Sequence, residues 1–426
     1  MRASTTTLLL IVVSGTAHAA FQVPLCPGLT IVTAINQQGG DYESIKTVET
    51  VTPSELRIKY SSEAPDRDML SSNAGQLKST TVYRRMLIDD LRSSNLYQQV
   101  FATGSDELIP GTTAIGTSRI VLDALRTRGE ATLSVSAASL GEHIRADRKL
   151  RPNVYDFFTS GRLERVGTVK MPVLVNDRLV EVSAIHARGD YFGDKNEFFF
   201  LDDESNPLTL KFRLGIGAIK PMLPDMAETC AALRKAGPAA ITGWENQCLP
   251  EGGDRDVLQV VKITYRCPAG ALNLATGGAG AAGSGNGPGG AMNAGGSGGS
   301  GGVAALEQAL KDNGKADIYS IYFSYNSDAI RKESEQTLAE IGALMRKHPD
   351  WKLGIYGHTD NIASDKYNLD LSRRRAAAVV KALTARHGVD AGRLTFGGQG
   401  ESAPKVTNDT LEGRAKNRRV ELVRMS

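Results

Sequence analysis

The sequence predicts two domains of different class, a mostly-β domain followed by an α/β domain, joined by a flexible linker. Three observations lead to this prediction. Short alternating apolar patterns recur through residues 20–268, as half-buried strands require. Fifteen of the 45 glycines lie within residues 269–302, a composition that cannot bury a core. From residue 303 onward, helical and strand patterns alternate, which is typical of an α/β layer.

The N-terminus has the features of a secretory signal peptide. Arg2 precedes the apolar run Leu8–Val13, and Ala17-His18-Ala19 provides the small residues of a cleavage site. We therefore expect residues 1–19 to be removed and the mature protein to be periplasmic, with an association with the outer membrane left open. No later run reaches the roughly 18 apolar residues of a membrane-spanning helix. A net charge of +3 does not indicate a nucleic-acid partner.

All four cysteines, Cys26, Cys230, Cys248 and Cys267, precede the linker. An even number of cysteines in an exported chain favours two disulfides, and four cysteines allow three pairings. We expect Cys26–Cys267, which would tie the two ends of the N-terminal domain, and Cys230–Cys248, which would close a local loop. A lipid-modified Cys26 is the alternative, although Pro24-Leu25 lacks the small residue that lipoprotein processing favours.

Turn chemistry and alternation predict the elements of the N-terminal domain. The stretch Leu29–Ile35 is rich in β-branched residues and predicts a strand. Two apolar runs flank Asn176-Asp177, which predicts a hairpin with a tight polar turn. A helix is predicted over Met226–Ala236, whereas the pattern of Val82–Leu91 fits a helix and a strand equally well.

The linker, residues 269–302, consists mainly of Gly, Ala, Ser and Asn. Such a coil has a root-mean-square span of about 30–35 Å. It predicts two domains that tumble independently of each other.

The C-terminal region alternates between helical and strand patterns. We predict helices over Val303–Asp312, Ser334–Lys347 and Tyr367–Arg386, and strands over Ile318–Phe323, Lys352–Tyr356, Leu394–Gly397 and Val420–Val423. Gly388 is placed to end the last helix.

Three common catalytic and metal-binding patterns are absent from the sequence. The six histidines show no H-E-x-x-H spacing, no Walker loop is present, and no two cysteines are spaced C-x-x-C. We therefore expect no enzyme activity, no metal and no cofactor. An active site without a known motif in the N-terminal domain is the alternative.

The most informative residues follow the strand predicted at Lys352–Tyr356. The segment Gly357–Asn361 comes directly after it, so Asp360 would lie on a loop at the strand end. Asn368 and Arg375 are seven residues apart and share one face of the next helix. Asp360 and Arg375 then form either an internal salt bridge or a site for a zwitterion, with the ammonium on Asp360 and the carboxylate on Arg375. Spacing alone leaves both interpretations open.

Residues 318–426 resemble the C-terminal domain of OmpA-type proteins, which binds peptidoglycan non-covalently. The shared residues run through Tyr322-Phe323, Gly357–Asn361, Tyr367-Asn368, Leu371-Ser372, Arg375-Ala376, Gly398–Glu401 and Asn417–Glu421. The resemblance implies a β-α-β-α-β fold, with helices on a mixed sheet. It also implies that Asp360 and Arg375 grip the diaminopimelate of the stem peptide, with Asn368 in the same pocket.

Several polar and charged residues beside the predicted pocket have other expected roles. Ser324 and Thr359 are candidates for its lining, and Ser324 follows Phe323 where many relatives have aspartate. Arg373 and Arg374 are interpreted as a solvated helix face beside Arg375. Arg414, Asn417 and Arg418 are expected to brace the fold.

The resemblance implies that the C-terminal domain, residues 303–426, anchors the exported N-terminal domain to the cell wall through peptidoglycan. One alternative is a tether or scaffold subunit of an envelope machine whose N-terminal domain docks a protein partner. The other is a wall-tethered enzyme. The two alternatives predict different surfaces, an exposed docking face or a polar cleft, in the N-terminal domain.

Overall fold

The architecture was obtained from a computed structural model of the chain. It describes residues 21–37, 40–65, 77–98, 106–136, 155, 158–191, 194–214, 232, 255–267, 272–273, 278–279 and 301–425. The predicted signal peptide, the predicted helix over Met226–Ala236 apart from Ala232, and most of the predicted linker lie outside these residues, and so does the predicted pair Cys230–Cys248. These remain predictions.

The described N-terminal residues form a large, mostly-β region, as predicted. Its strands are Thr30–Gln37 (β1), Gly40–Val51 (β2), Glu55–Pro65 (β3), Leu77–Leu87 (β4), Leu96–Tyr97 (β5), Glu107–Leu108 (β6), Thr112–Thr113 (β7), Glu130–Ser136 (β8), Phe158–Val175 (β9), Arg178–Tyr191 (β10), Asp194–Leu201 (β11), Thr209–Leu214 (β12) and Arg255–Thr264 (β13). They lie in one sheet in the order β6-β4-β3-β2-β1-β13-β12-β11-β10-β9-β8-β5-β7. Its helices are Ile88–Ser93 (α1) and Arg119–Thr127 (α2).

The turn between β9 and β10 and the segment Val82–Leu91 bear on two local predictions. The hairpin of β9 and β10 turns at Asn176 and Asp177, both of which have positive φ (47° and 63°), as a type I′ turn requires. The ambiguous segment Val82–Leu91 contains both elements, because β4 ends at Leu87 and α1 begins at Ile88. Val82 and Met86 in the strand and Ile88 in the helix are all buried. Their apolar positions therefore fitted the two-residue repeat of a strand and the 3.6-residue repeat of a helix.

A disulfide joins Cys26 and Cys267, with 5.5 Å between their Cα atoms, and confirms the predicted pairing. Cys26 precedes β1 and Cys267 follows β13, and these two strands pair antiparallel from Thr30 and Thr264 onward. The bridge therefore clamps the open ends of two neighbouring strands. It also tethers the point at which the chain leaves this region.

The C-terminal residues form helices packed on a mixed sheet. A short ladder of Leu272–Asn273 (β14) and Gly278–Ala279 (β15) precedes them. The C-terminal elements are Gly301–Asn313 (α3), Lys315–Ile318 (β16), Glu335–Lys347 (α4), Lys352–His358 (β17), Asp365–His387 (α5), Leu394–Gly400 (β18), Leu411–Asn417 (α6) and Val420–Met425 (β19). The strand order is β16-β19-β17-β18, with β17 parallel to β18 and β19 antiparallel to β16 and β17.

The run β16-α4-β17-α5-β18 has the expected β-α-β-α-β order, but α3 precedes it and α6 and a fourth strand, β19, follow it. A short helix, α6, precedes the last strand; Thr410 caps it by accepting a hydrogen bond from the backbone N–H of Gly413 at 3.1 Å. The first strand, predicted over Ile318–Phe323, is instead Lys315–Ile318, so the prediction was wrong except at Ile318. The strand ends there because the next residues bond elsewhere: the N–H of Tyr319 and the hydroxyl of Ser320 both donate to the carboxylate of Asp177.

The contact with Asp177 belongs to a wider interface between the N-terminal sheet and the C-terminal domain. Apolar residues of β1, β2 and β13 pack against Tyr322 and against Leu411 and Ala415 of α6. Arg266 also pairs with Glu340 at 3.1 Å. The expectation of independently tumbling domains therefore differs from the structure, because burying this apolar sheet face opposes separation.

Candidate functional site

A cavity of about 200 Å³ opens where the C-terminal domain meets the N-terminal sheet. The C-terminal domain supplies the end of β17, the first half of α5 and the segment after β16. Strands β2 and β3 of the N-terminal sheet form the opposite wall. The charged and polar lining includes Tyr42, Glu43, Glu63, Ser324, Asn326, Arg331, Thr359, Asp360, Tyr367, Asn368, Arg375 and Arg418. All five site residues predicted from the sequence therefore lie around one cavity.

A close approach between β17 and α5 sets the geometry of this cavity. Gly357 lies directly against the backbone of Ser372, so a Cβ at position 357 would overlap the Ser372 carbonyl oxygen. Glycine at this position lets the strand end lie beside the helix that carries Asn368 and Arg375. Asp360 follows two residues after the end of the strand, at the carboxyl edge of the parallel pair β17–β18.

We expect Gly357→Ala to destabilise the C-terminal domain by about 1–3 kcal/mol, because the strand and the helix must move apart to admit the methyl group. Gly392→Ala is the matched control, since the nearest heavy atom to its added Cβ would be 3.5 Å away. Thermal unfolding of the two variants is the measurement. Equal melting temperatures would show that the close approach at Gly357 does not constrain the fold.

The carboxylate of Asp360 is partly engaged within the protein. Its Oδ1 accepts a hydrogen bond from the N–H of Ile362 at 3.3 Å, and its Oδ2 accepts one from Nη1 of Arg418 at 2.5 Å. The side chain keeps 14% of its surface exposed. Each carboxylate oxygen can accept more than one hydrogen bond, so Asp360 retains capacity for a ligand donor.

Arg375 is held in place without an ion pair of its own. Its Nε donates to the carbonyl oxygen of Ser327 at 2.9 Å, and its guanidinium lies 5.0 Å from the ring centre of Phe323. Burial, together with the nearby charge of Arg418, lowers the pKa of Arg375 to about 10, so it remains a cation at neutral pH. Among the described residues, no carboxylate lies within 4.0 Å of its side-chain nitrogens. The internal salt bridge between Asp360 and Arg375, left open by the sequence, is therefore not formed.

The other predicted residues have distinct positions in the cavity wall. Asn368 is buried, and its Nδ2 faces the carbonyl oxygens of Asp360 and Ala363, each at 3.1 Å, so it holds the loop that carries Asp360. The hydroxyl of Thr359 is buried and has no hydrogen-bond partner among the described residues. Ser324 donates its hydroxyl hydrogen bond to Glu63 of β3 at 3.3 Å.

Arg418, which was expected to brace the fold, also lines the cavity, a position that the sequence did not predict. Its guanidinium lies in the cavity wall between two carboxylates, Asp360 and Glu43, with Nη2 at 2.6 Å from Oε1 of Glu43. The register of β19 beside β17, in which Val420 lies opposite Gly357, brings Arg418 to this edge. Sequence patterns do not give strand register, so no local signal pointed to this arrangement.

Glu43 of β2 is an N-terminal carboxylate that pairs with Arg418 and with Lys262. Burial alone would raise its pKa, but Lys262, Arg418 and Arg375 outweigh burial and lower the pKa of Glu43 to about 2. Its carboxylate is therefore ionised at neutral pH. Lys262 lies outside the lining of the main cavity, 3.7 Å from Glu43.

No group of three or more His, Cys, Asp or Glu side chains in the described part of the chain is arranged to hold a metal ion. No helix among the same residues has both the length and the apolar character needed to cross a membrane. The lining of the cavity itself offers charged and hydrogen-bonding side chains.

Residues 322–418 match the model of the OmpA family, which confirms the resemblance found in the sequence. Similar proteins include outer membrane porin F of Pseudomonas aeruginosa, 39% identical over 101 residues, and outer membrane protein A of Bordetella avium, 37% identical over 101 residues. Both matches cover 24% of this chain. The chain spans 29% and 52%, respectively, of the lengths of these two relatives.

Among solved structures, the cell wall anchor of the T6SS from Pseudomonas aeruginosa is 33% identical, with a TM-score of 0.24. The likeness covers 28% of this chain and 94% of that one. The matched family region contains Asp360, Arg375 and Arg418. Glu43 and Glu63 of the opposite cavity wall lie outside it.

Proposed function

We propose that the C-terminal domain binds peptidoglycan non-covalently through diaminopimelate of the stem peptide and so anchors the exported N-terminal region to the cell wall. One observation carries this proposal: the carboxylate of Asp360 and the guanidinium of Arg375, which has no ion pair among the described residues, line the same cavity. The match of residues 322–418 to the OmpA family supports it.

The free end of diaminopimelate is an amino acid with an ammonium and a carboxylate. In the proposed complex, the ammonium donates to Asp360, which has hydrogen-bonding capacity beyond its bonds to Ile362 and Arg418. The carboxylate lies on the planar guanidinium of Arg375, which can donate two parallel hydrogen bonds.

Such a site is weak as a single contact and effective on a polymer. Hydrogen bonds to charged groups contribute about 1.5–3 kcal/mol each, and the cavity offers few of them. A wall polymer repeats the same amino-acid end many times, so a released domain rebinds nearby and effective concentration maintains the attachment. The proposed role needs no chemical reaction, which agrees with a protein that tethers rather than catalyses.

Co-sedimentation of the whole chain with purified cell walls tests the proposal. We expect the protein to pellet with walls whose stem peptides contain diaminopimelate. Walls that contain lysine at that position retain the ammonium but lack the carboxylate for Arg375, so they should retain clearly less protein. Protein left entirely in the supernatant would contradict wall binding, and equal pelleting with both walls would contradict recognition through diaminopimelate.

A further inference from the structure

Two regions of the chain line the cavity, and the net charges of their contributions have opposite signs. Its charged lining consists of three carboxylates and three guanidiniums, Glu43, Glu63, Asp360, Arg331, Arg375 and Arg418. The C-terminal domain contributes all three cations but only Asp360 among the anions. The N-terminal sheet contributes Glu43 from β2 and Glu63 from β3.

From this distribution we infer that the N-terminal sheet completes the wall-binding site, with Glu43 as a specificity-determining residue that makes the cavity select a zwitterion over an anion. The inference rests on the proposed function of the same cavity. Without the two glutamates the lining would carry an excess of two positive charges, which suits an anionic ligand. With them the lining is neutral, with a negative lobe around Asp360 and a positive one at Arg375.

Glu43 acts through Arg418 and is therefore a positioning residue. Arg418 donates to Asp360 from Nη1 and to Glu43 from Nη2, so one guanidinium is shared between two carboxylates. If Glu43 were neutral, the full charge of Arg418 would offset Asp360, and a ligand ammonium would gain little there. With Glu43 ionised, the group of two carboxylates and one guanidinium keeps a net negative charge for the ammonium.

Glu63 has a separate place in the same wall. Its carboxylate accepts hydrogen bonds from the N–H of Tyr325 at 2.8 Å and from the hydroxyl of Ser324. Neighbouring contacts fix this wall: Arg331 donates to Ser61 at 2.6 Å, and Lys59 pairs with Glu333 at 3.1 Å. The carboxylates are thus held by a packed interface rather than presented on free loops.

Lys262 is the remaining charged group near Glu43. It lies outside the lining of the main cavity and interacts electrostatically with both Glu43 and Asp177. Its charge is therefore shared with a carboxylate outside the site. Burial lowers the pKa of Lys262, and the positive charges of Arg418 and Arg375, on the C-terminal side, repel its ammonium and lower that pKa further.

Two soluble probes that differ only in the ammonium test this inference. The first is the disaccharide tripeptide of the wall, which ends in diaminopimelate and has one free amine. The second is the same compound after acetylation of that amine, which keeps the carboxylate and loses the positive charge. Dissociation constants of the whole chain for both probes, measured by calorimetry, give a preference ratio.

We expect the wild-type chain to prefer the free amine, and we expect Glu43→Gln to lower that preference about tenfold through weaker binding of the free amine. Glu49→Gln is the matched control, because Glu49 is also on β2 and pairs with an arginine, Arg57, but does not line the cavity. Glu63→Gln should lower the preference by a smaller factor, and it carries the test if Glu43→Gln does not fold.

Two outcomes separate the inference from the proposed function. If the wild type prefers the free amine and Glu43→Gln and Glu63→Gln show the same ratio as Glu49→Gln, the inference is wrong and the proposed function stands. If the wild type binds neither probe, the proposed function itself is overturned. The inference requires a preference that is lowered in the two cavity variants, more in Glu43→Gln than in Glu63→Gln, and unchanged in Glu49→Gln.

Discussion

Arg375→Ala should weaken the binding of diaminopimelate-containing walls by about 10- to 150-fold, since a hydrogen bond to a charged group is worth about 1.5–3 kcal/mol. The reason is that, among the described residues, Arg375 is the cavity cation without a carboxylate within ion-pairing distance. Arg375→Lys keeps the charge but loses the planar fork, so its binding should lie between that of wild type and that of the alanine variant.

Asp360→Asn tests the other half of the same contact. The asparagine is nearly isosteric but cannot neutralise the ligand ammonium, and it leaves Arg418 with Glu43 as its remaining carboxylate partner. We expect a loss comparable to that of Arg375→Ala. Cell-wall co-sedimentation measures both losses, after melting temperatures have shown that each variant is folded.

Arg374→Ala is the matched control for this series. Arg374 is adjacent in sequence, but its guanidinium pairs with Asp370 at 2.8 Å and Asp328 at 3.2 Å and does not line the cavity. It should pellet like the wild type. If folded Arg375→Ala and Asp360→Asn also pellet like the wild type, these two residues serve only the structure of the domain.

The second large effect concerns the disulfide. Replacing Cys26 and Cys267 together by alanine should lower the free energy of unfolding of the N-terminal region by about 2–4 kcal/mol, because the bridge restricts a long loop in the unfolded chain. The sequence separation is 241 residues, and both cysteines pack against the core that contains Leu25 and Tyr265. Denaturant unfolding of the oxidised proteins measures the difference.

Reductant provides the control for this prediction. The double variant lacks the Cys26–Cys267 bridge, so any remaining effect of reductant on it reports the separately predicted Cys230–Cys248 bridge. Mass spectrometry of the unreduced wild type should find no alkylatable thiol. An oxidised double variant as stable as the oxidised wild type would mean that the clamp at the ends of β1 and β13 does not stabilise the fold.

The sequence predicted the parts of the site that are encoded locally. The strand, the loop and the helix that carry Asp360, Asn368 and Arg375 follow each other within a short segment. Their spacing and the resemblance were enough to place them together. The Asn176-Asp177 turn was predicted for the same reason, since turn chemistry depends on adjacent residues.

What the sequence did not predict depends on contacts distant along the chain. Arg418 reaches Asp360 because β19 lies in a particular register beside β17, and Glu43 reaches Arg418 from a different region altogether. The N-terminal sheet contacts the C-terminal domain through an apolar face of β1, β2 and β13. Alternation in the sequence predicts that such residues are buried, but it does not predict which other element covers them. The Gly-rich composition of the linker led to the expectation that the two domains are separate. The composition of a linker carries no information about whether the surfaces of the domains that it connects fit each other.

In the proposed complex, Asp360 and Arg375 hold the two charges of one amino-acid end, which a crystal structure of the chain with the diaminopimelate-terminated disaccharide tripeptide would show. We expect the ligand ammonium within about 2.7–3.2 Å of the Asp360 carboxylate and the ligand carboxylate on the Arg375 guanidinium, with Glu43 still bonded to Arg418. A ligand bound elsewhere, with this cavity unchanged, would overturn the assignment of both residues.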